Sequence, residues 1–407
     1  MKKIIIAGGG FAGVRAALDL EKKRPPNTKI TLISKLPHLE YHAALYRVVT
    51  GRNPLEVCIP LAEIFKNKDV EIVEDEIVKL DLADKQLVGK NEAKYKYDYL
   101  VLALGSQTSY YGIPGLKNMS YGLKSVNEAL RLREHLHELF EKAAKSPDTD
   151  KKVTNAHFVV VGGGATGTET AGELASYTDK LSKNHGLPRE FITIDLIHSR
   201  EHLVPNLPED FSEKIEHRLR HLGVNLFMNR RVIKEDIEKV YLKDMQLKTK
   251  TVIWTAGVTL NSLYKDTKEL KKDKDGRPFV NTLLEARGNR NVFIVGDAAS
   301  VKHPGMAQSA ISDGRFVAEV IANGIKNKKP PRYRAARLSY SIPVGEGWAA
   351  TLWHGVAFHG KTGWILRRLA DFKFFLSILP PKKAYLAFKS GRTLCEYCSV
   401  CSQSGAY

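Results

Sequence analysis

The most regular pattern in the chain is a short apolar run, then closely spaced glycines, then an apolar stretch of helical periodicity. It occurs twice: residues 4–13 read IIIAGGGFAG, and residues 158–167 read FVVVGGGATG. Each segment predicts a buried strand, a tight turn and the start of a helix. The repetition indicates two βαβ units within one chain.

The same reading of apolar periodicity predicts the other main elements. Ser125 and Glu128 are expected to form a capping box at the start of a long amphipathic helix. The predicted helices are 11–23, 125–145, 167–184, 209–222 and 307–323. The predicted strands are 4–7, 29–34, 97–104, 191–197, 224–227, 251–257 and 291–299.

The glycine spacing in both segments is G-x-G-x-x-G, the fingerprint of dinucleotide binding. The first glycine permits a tight turn, the second lets the backbone approach a pyrophosphate, and the third allows the helix to pack closely on the strand. The helix N-terminus offers unpaired N–H groups and a positive dipole end to the anion. Two such fingerprints indicate a protein that binds two dinucleotides, usually to pass electrons between them.

The order of the segments predicts that one nucleotide-binding domain is inserted into another, because the second fingerprint lies between two stretches that read as halves of the first domain. A chain of 407 residues is long enough for two or three domains. The predicted first domain comprises 1–115 and 280–330, and the second comprises 116–279. A C-terminal region of 331–392 and a tail of 393–407 follow.

Composition excludes several classes of protein. The chain is 43% hydrophobic and 27% charged, as in a soluble globular protein. It has no apolar run of about 18 residues and only two lysines before the first apolar run, so neither a transmembrane helix nor a cleavable signal peptide is predicted. The net charge is +18, but the chain has no nucleic-acid-binding motif, so no nucleic-acid partner is expected.

Much of the positive charge is local. Residues 361–392 contain eight Lys or Arg and one acidic residue, interleaved with Trp, Phe, Ile and Leu. This combination is typical of a helix that lies at a membrane surface. The alternative is an ordinary helix pair packed on the body of the protein.

The four cysteines are too few for a disulfide framework, and a cytoplasmic protein is the default prediction. Cys58 reads as a buried, inert thiol. Cys395, Cys398 and Cys401 have C-x-x-C spacing, but no fourth ligand for a zinc or iron–sulfur site follows nearby. The prediction is an unliganded tail and no metal site, with metal binding and a lipidation or redox role as alternatives.

Taken together, these segments resemble one known family. The chain is similar to the type II NADH dehydrogenases (NADH:quinone oxidoreductases) of the flavoprotein disulfide reductase superfamily. The resemblance covers about residues 1–391. It rests on GGGFAG, LYRVVTG, YDYLVLALGS, GIPG, LKSVNEALRLREHL, GGGATGTETAGEL, VIWTAGV, VFIVGDAAS and the basic aromatic C-terminal segment.

The resemblance implies an α/β fold of two Rossmann-like domains, one inserted in the other, with a C-terminal membrane-docking segment. The first domain would bind FAD and the second NADH or NADPH, and electrons would pass to a quinone or another small acceptor. The enzyme would lie on the cytoplasmic face of the membrane as a peripheral protein, docked through residues 361–392. A homodimer is a further expectation.

Roles for individual residues follow from the same resemblance. Glu169 would lie near the nicotinamide and flavin, and Ala307 and Gln308 beside the flavin and quinone, so Glu169 and Gln308 are the catalytic candidates. Asp297 would hydrogen-bond the flavin ribityl chain. The other cofactor-binding candidates are Gly8, Gly10, Phe11, Ala12, Gly13, Ser34, Lys35, Ala103 and Gly105 for FAD, and Gly162, Gly164, Gly167, His198, Arg200 and Gly257 for the nicotinamide nucleotide.

The chain departs from the family pattern at three places in its body, and its tail CEYCSVC (395–401) is not part of that pattern. Ser34 and Lys35 stand where an acidic residue binds a ribose hydroxyl of FAD, and Ser34 can still make that hydrogen bond. At the equivalent place in the second domain, residues 198–200 read His-Ser-Arg. Loss of the acid together with an arginine accommodates a 2′-phosphate, so NADPH is expected alongside NADH. Ser312 replaces the second glutamine of the Ala-Gln motif, which weakens the quinone assignment.

Other interpretations stay open at this point. Glu169 could be a carboxylate that only favours a helix dipole, and His198 and Arg200 could be surface residues. A sulfide:quinone reductase needs cysteines beside the flavin, whereas residues 59–394 contain none. A flavin-binding sensor or a membrane-associated interaction protein with low turnover would fit the substitutions at His198, Ser312 and Ser34.

Overall fold

The computed structural model describes residues 1–301 and 305–390. The three tail cysteines, Cys395, Cys398 and Cys401, lie outside the described residues, so the predictions about them stay predictions. Among the described residues, no three His, Cys, Asp or Glu side chains are grouped so that they could hold a metal ion.

The strands of the described chain are, in order, β1 (Lys2–Ala7), β2 (Thr28–Ser34), β3 (His38–Glu40), β4 (Cys58–Pro60), β5 (Glu71–Glu74), β6 (Ile77–Asp81), β7 (Gln86–Gly89), β8 (Lys94–Lys96), β9 (Tyr99–Leu102), β10 (Ser106–Thr108), β11 (Tyr121–Gly122), β12 (His157–Val161), β13 (Thr193–Ile197), β14 (Val224–Phe227), β15 (Val232–Asp236), β16 (Lys239–Leu242), β17 (Gln246–Lys248), β18 (Thr251–Trp254), β19 (Val258–Leu260), β20 (Val292–Ile294), β21 (Tyr340–Pro343), β22 (Ala349–Trp353) and β23 (Val356–Phe358).

The helices are α1 (Phe11–Lys23), α2 (Leu45–Val49), α3 (Leu61–Ile64), α4 (Leu116–Met119), α5 (Val126–Lys145), α6 (Thr149–Asn155), α7 (Ala165–His185), α8 (Glu209–His221), α9 (Ser262–Asp266), α10 (Ala307–Ile325), α11 (Gly360–Ile378) and α12 (Pro381–Ser390). The predicted capping box is confirmed, since the Ser125 hydroxyl accepts from the Glu128 N–H and the Glu128 carboxylate accepts from the Ser125 N–H. The predicted strand 291–299 ends earlier, because residues Gly296–Ala298 turn into a single 3₁₀ turn.

The chain divides into two compact units. The first unit comprises residues 1–40, 58–107 and 258–338, and the second comprises 41–57, 108–257 and the chain from 339 onward. The segments of the two units alternate along the chain, three in each unit, so the bounds differ from the predicted ones.

Two of the predicted domain bounds are wrong for identifiable reasons. The segment after 257 was assigned to the second domain, yet Tyr264 and Leu270 are buried in the first unit's core beside Ile5 and Leu100. The C-terminal region was predicted to be separate, yet its Val344 carbonyl accepts a hydrogen bond from Arg218 of the second unit at 3.3 Å. Apolar burial decides the first assignment, and a hydrogen bond between residues far apart in the chain supports the second; the linear sequence displays neither.

The first unit is built on a five-stranded sheet of order β20-β9-β1-β2-β5, in which all neighbouring strands are parallel. A small antiparallel sheet of β6, β7 and β8 belongs to the same unit. Helices α1 and α10 pack against each other so closely that a Cβ on Gly314 would overlap the Ala12 carbonyl. Because parallel strands buried on both faces read as continuous apolar runs, the sequence predicts this sheet well.

The second unit repeats that plan. Its five-stranded sheet has the order β11-β18-β12-β13-β14, again parallel throughout, and β15, β16 and β17 form a small antiparallel sheet. Helix α7 follows β12 as α1 follows β1. The prediction of an α/β fold with two Rossmann-like units is confirmed.

The C-terminal part of the second unit is an antiparallel sheet of β21, β22 and β23 followed by α11 and α12. No helix within the described ranges is long and apolar enough to cross a bilayer. The predicted basic surface needs one correction. Arg367 and Arg368, which were counted as surface charge, are 8% and 6% exposed and lie against the buried Asp371.

Candidate functional site

The first fingerprint forms a turn that only glycine can complete. Gly8 has φ +115°, and a Cβ there would overlap the Ala103 carbonyl. A Cβ on Gly13 would overlap the Gly8 carbonyl, so α1 packs directly on the turn. In contrast, a Cβ on Gly10 would meet no atom of the described chain within 4 Å. The space in front of the α1 N-terminus is therefore open, as a bound pyrophosphate requires.

Ser34 lies beneath this turn and not beside it. It is 4% exposed, its hydroxyl donates to the Leu36 carbonyl at 2.7 Å, and a Cβ on Gly9 would overlap its oxygen. Lys35 is exposed and its Nζ lies 2.7 Å from a Glu76 carboxylate oxygen. The Ser34 hydroxyl thus already donates its hydrogen bond to the loop backbone. A hydrogen bond between Ser34 and a ribose of FAD stays a prediction.

The Asp297 turn is fixed from several sides within the first unit. The Ser106 hydroxyl donates to the Asp297 carboxylate, and the Arg277 guanidinium donates to the Asp297 carbonyl. The preceding residue, Gly296, has φ +72° and a Cβ there would lie 3.5 Å from the methyl groups of Ala12 and Ala310. The structure therefore brings together the first fingerprint, Asp297 and the early part of α10.

Gly105 and the start of α10 complete this region. Gly105 has φ +67°, and no atom of the described chain lies within 4 Å of where its Cβ would be. Ala307 is the first residue of α10, and Gln308 is exposed on the same first turn. Ser312, one turn later, is half-buried. The open position at Gly105 and the small side chain of Ala307 fit a bound flavin.

Asp313 is a buried group that the sequence analysis did not single out. It is fully buried in α10; its carboxylate accepts from the Tyr333 hydroxyl at 2.8 Å and from the Gly296 N–H at 3.2 Å. Burial raises the pKa of Asp313 to about 6, although both hydrogen bonds oppose the shift. Asp313 therefore anchors the turn that carries Asp297. The sequence pattern pointed only to the neighbouring Ser312, which replaces a glutamine of the Ala-Gln motif.

The second fingerprint has the geometry of the first. Gly162 has φ +117° and its Cβ would lie 2.8 Å from the Ala256 Cα, while a Cβ on Gly167 would overlap the Gly162 carbonyl. A Cβ on Gly164 would meet no atom of the described chain within 4 Å. The α7 N-terminus thus faces the same kind of open space. Both cradles fit a dinucleotide diphosphate.

His198 lies beneath the second turn as Ser34 lies beneath the first. It is 9% exposed, and its Nδ1 accepts from the Gly163 N–H at 3.1 Å. Burial lowers the pKa of His198, and the nearby Arg200 guanidinium lowers it further, so the ring is neutral near pH 7. The alternative that His198 is a surface residue is therefore wrong, whereas Arg200 is exposed.

Gly257 closes the strand–turn segment that follows β18. A Cβ there would overlap the Tyr111 ring, whose hydroxyl lies 3.5 Å from the Ala256 carbonyl. Tyr111 is 66% exposed and has φ +50°, an uncommon conformation for a tyrosine. The sequence singled out Gly257 but not Tyr111, because a backbone angle leaves no trace in composition.

Glu169 is buried within the second unit and is part of a dense ionic cluster. Its Oε1 lies 3.6 Å from Arg367 Nη1. Burial raises the pKa of Glu169 to about 8, against the opposing fields of Arg367 and Arg47. The carboxyl therefore carries its proton at neutral pH and loses it in mildly alkaline solution. Glu169 lies beyond the first turn of α7, which contains no acidic residue, so the alternative role as a helix-dipole partner has little support.

The cluster itself ties α11 to residues 41–57 of the same unit. Arg47 pairs with Glu56 and, at 3.0 Å, with Asp371, and Arg368 reaches Glu56 at 2.8 Å. The Tyr41 hydroxyl donates to Asp371 at 2.7 Å. Sequence reasoning missed this cluster, because its members lie more than 300 residues apart along the chain.

Comparisons with known proteins agree with this geometry. The sequence profile of the pyridine nucleotide-disulphide oxidoreductases matches residues 2–314. The type II NADH:quinone oxidoreductase Ndh of Mycobacterium tuberculosis is 30% identical over 349 residues, covering 81% of this chain and 74% of that protein. The type II NADH:quinone oxidoreductase of Staphylococcus haemolyticus is 25% identical, covering 96% of this chain and 98% of its own length.

The chain belongs to the type II NADH:quinone oxidoreductase family. This confirms the resemblance stated from the motifs and identifies the chain as an oxidoreductase. NDH2 from Plasmodium falciparum, solved in complex with NADH, shares its fold with a TM-score of 0.87 and 18% identity, covering 96% of this chain and 97% of that one.

The sulfide:quinone alternative has less support than family membership. The sulfide:quinone oxidoreductase of Aquifex aeolicus has a TM-score of 0.78 and 20% identity to this chain, which shows a shared fold alone. Residues 59–394 of this type II oxidoreductase contain no cysteine. Burial raises the pKa of its Cys58 thiol to about 11, so this half-buried cysteine is a poor nucleophile.

Asp313 generates a testable pH dependence. Its pKa is about 6 in the folded protein against 3.8 without burial, so the folded state holds the proton more tightly. The free energy of unfolding should therefore fall as pH rises from about 4 to about 6, by up to about 3 kcal/mol for this group. Asp313→Asn should remove this component, as measured by denaturant unfolding of the flavoprotein across that window.

Tyr333→Phe serves as the matched variant. Removing the hydroxyl that donates to Asp313 should raise the pKa of the carboxyl further and move the window to higher pH. An identical pH slope in wild type, Asp313→Asn and Tyr333→Phe would show that the Asp313 carboxyl does not titrate between these pH values.

Proposed function

We propose that the chain takes two electrons from NADH at its second unit, passes them through FAD held by its first unit, and delivers them to a quinone. The observation that carries the proposal is the repeated glycine turn at a helix N-terminus. At Gly10 and at Gly164, no atom of the described chain lies within 4 Å of where a Cβ would be, which leaves room for a diphosphate. FAD, when bound, accepts a hydride equivalent and passes electrons onward. The relatives described above are NADH:quinone oxidoreductases, which supports NADH as the donor and a quinone as the acceptor.

The chain's own residues bind and orient the two cofactors. Gly8, Gly10 and Gly13 would let the α1 N-terminus approach the FAD diphosphate, and Asp297 would bind the ribityl hydroxyls. The turn that carries Asp297 is held in place by Ser106, Arg277 and Asp313. The Asp297 carboxylate therefore needs little reorganisation when the cofactor binds.

Glu169 is proposed to hold and release a proton at its carboxyl oxygens. A quinone takes up two electrons and two protons when it is reduced to the quinol. The hydride of NADH accounts for both electrons and one of the protons, so the second proton must come from another source. A carboxyl with a pKa of about 8 is well matched to proton transfer near neutral pH. Gln308, exposed at the start of α10, is proposed to hydrogen-bond the acceptor.

Docking at a membrane surface is proposed for the C-terminal helices. Ile365, Leu369 and Leu376 lie on one face of α11 and are 46%, 58% and 43% exposed. On α12, Tyr385 and Leu386 are 55% and 54% exposed. Such a stripe is an unusual feature for a helix of a water-soluble protein. Four exposed lysines accompany the stripe: Lys361, Lys373, Lys382 and Lys389.

The assignment of one cofactor to each unit gives a paired prediction. In Gly10→Ala the new methyl group meets no atom of the described chain within 4 Å but occupies the proposed FAD diphosphate site, so the protein should fold and lose FAD affinity at least about tenfold. In Gly164→Ala, FAD should stay bound while the KM for NADH rises. Flavin absorbance after gel filtration and steady-state kinetics measure the two effects. If Gly164→Ala lost FAD and Gly10→Ala only raised the KM for NADH, the assignment of FAD to the first unit and NADH to the second would be reversed.

The proton role of Glu169 predicts a change in pH profile. Turnover with quinone should fall as pH rises through about 8, where the carboxyl ionises. Glu169→Gln should lose this alkaline limb and run at least about tenfold slower, because the amide cannot transfer a proton. The exposed Glu134→Gln on α5 is the control. An unchanged alkaline limb in Glu169→Gln would contradict the role.

Membrane docking is tested with surface substitutions, because deleting α11 would also remove the buried Arg367 and Asp371. Ile365→Glu combined with Leu369→Glu should reduce sedimentation with anionic vesicles at least about tenfold, since each exposed side chain contributes up to about 2 kcal/mol of apolar burial. Ile237→Glu is the matched control, as Ile237 is 80% exposed but lies between β15 and β16. Equal sedimentation of all three proteins would contradict docking through α11.

A further inference from the structure

The carboxyl end of β13 lacks the acid that normally recognises a dinucleotide ribose. Dinucleotide folds place an Asp or Glu there to bind the adenosine 2′-hydroxyl, and the same carboxylate repels a 2′-phosphate. In this chain β13 ends at Ile197, and residues 198–200 are His, Ser and Arg. The repulsive element is therefore absent from this position.

His198 fills the position without supplying charge. Its ring packs beneath Gly163, where a Cβ would lie 2.6 Å from the ring Cγ, and its Nδ1 accepts the Gly163 N–H. Burial and Arg200 favour the neutral ring, so His198 neither repels nor strongly attracts a phosphate. Recognition of an anion must come from residues around it.

The turns after β13 and β14 are joined by backbone hydrogen bonds. The Arg230 N–H donates to the His198 carbonyl at 2.9 Å, and the Asn229 N–H donates to the Arg200 carbonyl at 3.1 Å. These bonds bring Arg200, Arg230 and Arg231 to the same edge of the sheet. Arginines at such an edge are candidates for binding a phosphate, because a guanidinium group can donate two parallel hydrogen bonds to phosphate oxygens.

Two of the three arginines are available for a ligand. Arg230 Nε lies 2.9 Å from an Asp244 carboxylate oxygen, so its charge is already paired. Arg200 and Arg231 are exposed, and neither has a carboxylate within ion-pair distance in the described part of the chain. Glu201, the acidic residue next to Arg200, is exposed to solvent.

We infer that this edge binds the 2′-phosphate of NADPH through Arg200 and Arg231, with His198 occupying the place of the repelling carboxylate. The inference rests on the proposed function, because it widens the choice of reductant at the same site. The reaction is balanced as for NADH: NADPH, one proton and a quinone give NADP⁺ and the quinol. We expect kcat/KM with NADPH to lie within about tenfold of the value with NADH.

The test compares the two nucleotides in anaerobic stopped-flow reduction of the FAD-loaded protein. Arg200→Ala and Arg231→Ala should each lower the efficiency with NADPH about tenfold, mainly through weaker binding, and change NADH by less than about twofold. Ser199→Glu restores a carboxylate at an exposed position without disturbing the buried ring, and should reduce NADPH use at least about a hundredfold. Arg131→Ala, an exposed arginine on α5, is the control.

The outcomes separate this inference from the proposed function. Flavin reduction needs no quinone, so inactivity toward quinones with fast bleaching by NADPH would sink the proposed function and support the inference. If NADH bleaches the flavin a thousandfold faster than NADPH, and the arginine variants do not change that ratio, the inference would be overturned while the proposed function would stand. Competition by 2′,5′-ADP gives a second readout: binding no tighter than that of 5′-ADP, or unaffected by Arg200→Ala, would also overturn it.

Discussion

The close approach of backbone to backbone at the two glycine turns is the constraint on which both nucleotide cradles depend. At Gly13 and at Gly167, a Cβ would overlap the carbonyl of the first fingerprint glycine. The helix therefore starts directly against the turn, and its unpaired N–H groups face the open space beside Gly10 or Gly164. Any side chain at the two contact positions would separate helix from strand and remove the anion site.

A second shared feature is the residue beneath each turn. Ser34 lies under Gly9, and His198 lies under Gly163, each at the end of the second strand of its βαβ unit. In both units this residue is buried and hydrogen-bonded to the loop around it, so it shapes the turn from below. Under the inference drawn above, recognition of the adenosine ribose phosphate falls to neighbouring residues such as Arg200. The chain can therefore lack the acidic residue at positions 34 and 198 and still keep both glycine turns.

The buried ionic cluster serves a different purpose from the cradles. Arg47, Arg367 and Arg368 pair with Glu56 and Asp371, and the fields of Arg47 and Arg367 also act on Glu169. Buried ion pairs contribute little net stability, because desolvation offsets the attraction, but removing one partner leaves an unpaired charge and is costly. The cluster thus fixes α11 in one position on the second unit. The exposed apolar stripe of that helix is held in a defined orientation by charges on its opposite face.

The sequence by itself determined the repeated strand–turn–helix units, the parallel sheets, the capping box at Ser125 and the family. These features depend on residues that are near one another in the chain, where apolar period and glycine spacing directly express the local conformation. Only the tertiary structure decided that Tyr264 belongs to the first unit, that Arg367 is buried and that Glu169 is shielded from water. Burial and charge pairing depend on groups brought together from distant positions, and no local pattern records which partner each group will meet.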